Sequence, residues 1–262
     1  MDSMLGYYQA KSALEWQIEL GADEAIGDDA LNRYELVREK PKPRIATKPA
    51  PKSKPEPVKA VDIDVVGLAK SVAAAAETLD ALKQALADFQ HCQLKSGARN
   101  LVFSDGNPAA RLMIIGEAPG RDEDREARPF VGRAGHLLDK MLAAIDLGRN
   151  GPDPASAVYI TNILPWRPPQ DRDPNTAEIA MLRPFMQRHI ELVQPDMIVL
   201  MGNISCLAML GRKGITRMRG NWETVQGRPA LPMFHPAYLL RSPHAKREAW
   251  ADLLSLKAKL GE

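Results

Sequence analysis

Three stretches of this chain carry side chains whose types and order can do chemistry. "GEAPGRDEDREARPFVGRAG", residues 116–135, sets a tight glycine- and proline-rich turn, Gly116-Glu117-Ala118-Pro119-Gly120, ahead of a run of charges in which one aromatic, Phe130, stands alone. The second stretch is Thr161-Asn162, and the third is His235 in "FHPAYLLR". Each has an ordinary structural reading: a turn, a capping asparagine, a satisfied histidine, a core phenylalanine. What joins them is that each follows a short apolar run.

Those runs are the elements that must position the polar groups. "RLMIIG", "VYITNIL", "MIVLMG" and "LPMFH" read as strands buried on both faces. Between them, helical patterns are expected around 134–146, 176–193 and 204–210, with a last helix around 244–260, while "AKSVAAAAETLDALKQALADF" is a strong helix former ahead of the first strand. Pro184 inside the second pattern predicts a kink or a late start. Strands alternating with helices predict an α/β fold, a three-layer α-β-α sandwich with a central four-stranded parallel sheet. In open parallel sheets, ligands bind beyond the carboxyl ends of the strands, so the 116–120 turn, Asn162 and His235 are expected to share one pocket.

Composition shifts divide the chain into an N-terminal helical extension at 1–37, a Pro/Lys-rich flexible linker at 38–62 and a catalytic domain at 63–262. Residues 1–36 carry eight acids and two bases, with Tyr7, Leu14, Ile18 and Leu20 recurring roughly at helical spacing. Residues 38–60 hold six prolines and eight bases, too little apolar surface to offset ordering entropy. This basic segment reads either as a sliding contact with phosphates or as a solvated tether.

Bulk properties exclude several classes. The 262 residues, 45% of them apolar, suffice for a core, and the net charge of +2 does not by itself argue for a nucleic-acid partner. No charge-free stretch is long enough to span a bilayer and the N-terminus lacks an export layout, so a cytoplasmic protein, in the bacterial cytosol or nucleoid, with no membrane partner is expected. Cys92 and Cys206 alone cannot build a four-cysteine metal site. A generic nucleotide-binding domain would show G-x-G-x-x-G or a Walker loop, and neither pattern is found.

Taken together, "GEAPG…RPFVGRAG…TN…RPP…HPAYLLR" resembles the uracil-DNA glycosylase superfamily, most closely its family 4 branch, over roughly residues 89–255. The resemblance implies a monomeric, monofunctional glycosylase that hydrolyses deoxyuridine in single- or double-stranded DNA and starts base-excision repair. Such an enzyme must extrude the nucleotide and hold its base in a closed pocket. Phe130 then supplies a stacking face, Asn162 reads N3–H and O4 of uracil, and His235 with the turn's backbone N–H groups faces the charge developing on O2. Gly116 and Ala118 let backbone approach the base. Leu239 and Leu240 are candidates to fill the vacated stack, or else pack ordinarily beside their helix; Arg241, Arg133 and Arg167 are the expected DNA contacts.

The sequence also departs from the family. Family 4 members typically bind a four-iron cluster through four cysteines, and the matching positions here are Phe89, Cys92, Trp166 and Leu182, so no iron-sulfur cluster and no other cofactor is expected, with the three apolar residues forming a plug. Ala118 stands where other branches place a water-activating aspartate, and Gly120 where they carry a tyrosine. The resemblance favours Glu117 first and Glu123 second for the water, with Asp122 and Asp124 as surface charge. The alternative is a uracil-DNA binding or trapping protein with little turnover; relatives of that kind carry a histidine-containing insertion after the second strand, and "WRPPQDRDPNTAE" has no histidine. A protein partner for residues 1–60 is left unnamed by the sequence.

Overall fold

The structure, a computed structural model, describes residues 64–261. The helical extension and linker expected at 1–37 and 38–62 lie outside the described residues. The first helices are α1 (Val65–Ala74) and α2 (Leu79–Asp88). They divide the stretch expected to be one helix because Thr78 caps α2, its hydroxyl accepting the Ala81 N–H at 3.1 Å. A short α3 (Leu94–Gly97) follows, then β1 (Ser104–Gly106), β2 (Leu112–Gly116), α4 (Arg121–Glu126), α5 (Arg133–Ala143) and β3 (Val158–Asn162). The chain continues through α6 (Thr176–Val193), β4 (Met197–Met201), α7 (Asn203–Leu210), α8 (Ile215–Met218), β5 (Glu223–Val225), β6 (Arg228–Met233), α9 (Pro236–Arg241) and α10 (Lys246–Leu260).

The sheet has six strands in the order β1-β3-β2-β4-β6-β5, which corrects the expected count of four. The four expected strands are its parallel centre; β1 and β5 add antiparallel edges on β3 and β6. Both edge strands are three residues long and only partly buried, so neither carries an alternation that sequence could reveal. The β5–β6 hairpin turns at Gln226-Gly227, both with positive φ (47° and 77°), as a two-residue turn matched to strand twist requires.

Successive residues of a strand face opposite sides, and here they enter different cores. Met113 and Ile115 pack with Leu82, Leu86, Phe185 and Ile190 of α2 and α6, whereas Leu112 and Ile114 pack with Leu138, Leu142, Leu253 and Leu256 of α5 and α10. Helices therefore cover both faces, giving the three layers. α6 contains Pro184 within its span and starts at Thr176, against the expected late start, with reciprocal caps between Asn175 and Glu178, each bond 2.8 Å. Among the described residues no helix is long and apolar enough to cross a membrane.

Candidate active site

The carboxyl ends of the four parallel strands meet at one cavity of about 530 Å³. β2 delivers Gly116 and its turn, β3 delivers Asn162, β4 leads to Gly202, and β6 leads through Phe234 to His235. Glu117, Ala118, Gly120, Glu123, Phe130, Asn162, His235 and Arg241 all line the cavity.

Asn162 is only 4% exposed, and its side-chain oxygen is buried without a hydrogen-bond partner. A buried acceptor left unpaired costs about 1–3 kcal/mol, so the position is one that a ligand N–H would relieve. Gly116 is what allows this amide to sit there: a Cβ at residue 116 would stand 2.3 Å from Asn162 Oδ1 and 2.6 Å from the edge of the Phe130 ring.

Phe130 is buried and adopts a left-handed backbone conformation, φ 54°, which costs a non-glycine residue about 1–2 kcal/mol. Its ring forms an offset stack with the His235 imidazole, centroids 5.4 Å apart and planes 27° from parallel. On His235, Nδ1 accepts the Ala237 N–H at 3.2 Å, which leaves the neutral ring's proton on Nε2 as a donor. Burial first, and the Arg241 charge second, lower its pKa to about 4, so the ring is neutral at physiological pH.

The two acids at the turn differ. Glu117 is raised to about 7, by burial first and by the Asp173 carboxylate second, with Lys213 opposing. Glu123 is engaged with backbone: Oε1 accepts from Val131 and Gly132 N–H at 2.9 and 2.8 Å, and Oε2 from Gly120 N–H at 3.1 Å. It ties the 116–120 turn to the 130–132 turn, while Glu117 is the acid poised near neutrality. Asp124 corrects an expectation: it is buried, and its Oδ1 accepts the Arg99 and Asn100 N–H groups at 2.9 and 3.1 Å.

Of the residues expected to touch DNA, Leu240 is 38% exposed beside Arg241 at the end of α9. Leu239 is 1% exposed and belongs to the core, which leaves it unavailable as a wedge in this conformation and matches the packing alternative. Arg167 is held in a two-bond ion pair by Asp171, at 2.7 and 3.0 Å, and Arg133 stands exposed at the start of α5, outside the cavity lining.

Three contributors were not anticipated. Gly202, φ 92°, follows β4, and a Cβ on it would stand 3.2 Å from that of His235; extending the strand-end rule to β4 finds it. Lys213 and Asp173 come from loops. The Lys213 segment is pinned by Asn203, whose Oδ1 accepts the Gly214 and Ile215 N–H groups at 3.0 and 2.9 Å. The Asp173 loop is held by Arg172 on Glu178, at 3.0 and 2.6 Å.

The cluster positions of family 4 do not fit iron. Phe89, Cys92, Trp166 and Leu182 all lie buried in one core, where Phe89 meets Phe185 edge-on with centroids 5.3 Å apart. One thiol among three hydrocarbon side chains is no ligand set, and burial pushes that thiol's pKa up, away from the thiolate a metal needs. Among the described residues no group of three or more His, Cys, Asp or Glu side chains could hold a metal ion.

Comparison with known proteins gives the family. The family model described as the uracil DNA glycosylase superfamily matches residues 103–254. A type-4 uracil-DNA glycosylase of Sulfurisphaera tokodaii is 35% identical over 190 residues, covering 69% of this chain and 84% of the relative. Its counterpart in Archaeoglobus fulgidus is 35% identical over 195 residues, 71% of this chain and 93% of the relative; that of Thermotoga maritima is 36% identical over 169 residues, 63% and 85%. The chain belongs to the uracil DNA glycosylase superfamily, on its family-4-like branch.

Proposed function

We propose that this protein is a monofunctional uracil-DNA glycosylase that extrudes deoxyuridine from DNA and hydrolyses its glycosidic bond. The observation that carries the reading is the unpaired, buried Oδ1 of Asn162 at the cavity wall. Uracil offers N3–H to that oxygen and O4 to the same side chain's NH₂; cytosine, with a bare N3 and a donor at C4, offers the reverse pattern. Thus the amide oxygen that the protein itself leaves unpaired is satisfied by one base and remains unsatisfied by another.

The rest of the cavity supports the same chemistry. Phe130 gives the base a stacking face, worth about 1–3 kcal/mol. As the C1′–N1 bond breaks, its electron pair leaves with the base and negative charge grows on O2; the Nε2–H of neutral His235 stabilises that charge without giving up its proton. Ionised Glu117 orients water toward C1′ and balances the positive charge on the sugar. Water adds oxygen at C1′ and loses a proton to solvent, the uracil anion takes one up from solvent, and the products are free uracil and an abasic site. No step needs a metal or redox group. Leu240 and Arg241, at the rim, act on the vacated stack and on phosphate.

Incubation with an oligonucleotide containing one uracil tests this. Many equivalents of uracil released per enzyme are expected, with cytosine strands untouched; an adduct surviving denaturation at one per protein would make the chain a trap, and no release at all would refute the enzyme.

A further inference from the structure

The stacking phenylalanine sits in a backbone conformation that its side chain disfavours, with φ 54°. The compensation lies nineteen residues further along, in an arginine outside the cavity lining. Arg149 is 11% exposed, and each nitrogen of its guanidinium is engaged. Nη1 donates to the Pro129 carbonyl at 2.6 Å and to Asp105 Oδ2 at 2.8 Å, Nε donates to Asp139 Oδ1 at 2.8 Å, and Nη2 donates to the Phe130 carbonyl. Two carboxylates, one on β1 and one on α5, thus anchor a cation whose remaining donors collect two successive carbonyls at the turn that presents Phe130.

Two glycines close the other sides. A Cβ on Gly135 would stand 1.7 Å from the Phe130 carbonyl oxygen, and one on Gly116 would stand 2.6 Å from the ring. The glycines permit the pose and exert no pull toward it; Glu123 holds the Val131 and Gly132 N–H groups that follow, and the guanidinium holds the Pro129 and Phe130 carbonyls themselves. Lysine, with a single nitrogen on a flexible stem, cannot span both carbonyls and both carboxylates in one plane.

We propose that Arg149 is a positioning residue for base binding: by clamping the Pro129 and Phe130 carbonyls it holds Phe130 left-handed, and so sets how tightly the extruded base is held without touching it. This rests on the glycosylase reading above.

The test is a double-mutant cycle of Arg149→Lys and Phe130→Ala, read both as kcat/KM on a uracil oligonucleotide and as competitive inhibition by free uracil. Arg149→Lys is expected to weaken uracil inhibition and lower kcat/KM by about 10- to 100-fold, the scale of a misplaced binding group. In the Phe130→Ala background the same substitution is expected to change neither, because the ring it positions is gone. Asp139→Asn, which loosens the clamp from outside and leaves both carbonyl bonds, gives a smaller loss of the same kind. Equal losses from Arg149→Lys with and without the Phe130 ring would show a general structural role and overturn the proposal. So would unchanged uracil inhibition in a folded Arg149→Lys protein. A wild-type chain that neither turns over uracil DNA nor is inhibited by uracil would instead remove the glycosylase reading and this inference together, whereas an active wild type with an additive cycle removes the inference alone.

Discussion

Asn162 and Trp166 are four residues apart on the segment leaving β3, and they belong to opposite kinds of environment. Around Asn162 the protein holds an unpaired buried oxygen, a phenylalanine with positive φ, a carboxyl raised to about 7 and an imidazole lowered to about 4. Trp166, where the family places iron and thiolates, lies in one buried apolar core with Phe89, Cys92 and Leu182. One region keeps unfavourable features that a ligand would relieve; the other packs hydrocarbon around a single thiol, which avoids the cost of burying charge. The difference separates where the sequence is constrained by chemistry from where it is constrained by packing alone.

Substitutions should separate the two regions. Asn162→Leu, which keeps the branched shape, is expected to lower kcat/KM for uracil release by about 10²–10³-fold, the scale of losing a transition-state hydrogen-bonding group, while the thermal midpoint holds or rises because a buried unpaired amide has gone. Trp166→Ala is expected to do the converse. It should lose roughly 3–5 kcal/mol in urea unfolding, yet keep kcat/KM near wild type at temperatures where it stays folded. A Trp166 variant that was stable but inactive would place the plug inside the chemistry.

Glu117 sharpens the comparison through pH. If its carboxylate orients water, kcat/KM falls about tenfold per unit below pH 7, and Glu117→Gln is slower overall and has no such limb. Its raised pKa also fixes the sign for stability. Folding favours the neutral carboxyl, so its contribution is complete below the unfolded pKa, near 4, and is lost as pH rises through about 7. The thermal midpoint of Glu117→Gln should therefore gain on wild type between pH 5 and pH 8. The smallest effect is expected at the rim: Leu240→Ala should slow release from double-stranded DNA by several-fold and leave single-stranded substrate nearly unchanged, measured as the ratio of the two rates.

Strands β2, β3, β4 and β6 were legible because each is a continuous apolar run between turn residues, and their carboxyl ends led directly to Gly116, Asn162 and His235. β1 and β5 were not, since "SDG" and "ETV" are defined only by the partners they meet across the sheet. Leu239 and Leu240 are adjacent, and only the rotation of α9 decides which faces the core. Arg149, Asp173 and Lys213 reach the Phe130 turn or the cavity from loops remote in sequence, so their proximity is a product of tertiary packing that no local spacing records. Asp124 reads as surface charge in the sequence for the same reason, its partners Arg99 and Asn100 lying far back along the chain.

On the proposed function, the unpaired oxygen of Asn162 accepts the N3–H of uracil. Inhibition of the wild-type protein by uracil and by 3-methyluracil measures this directly, since the two differ only at that hydrogen. Competitive inhibition by uracil and its loss with the methylated base is the predicted result; equal inhibition by both would contradict the account.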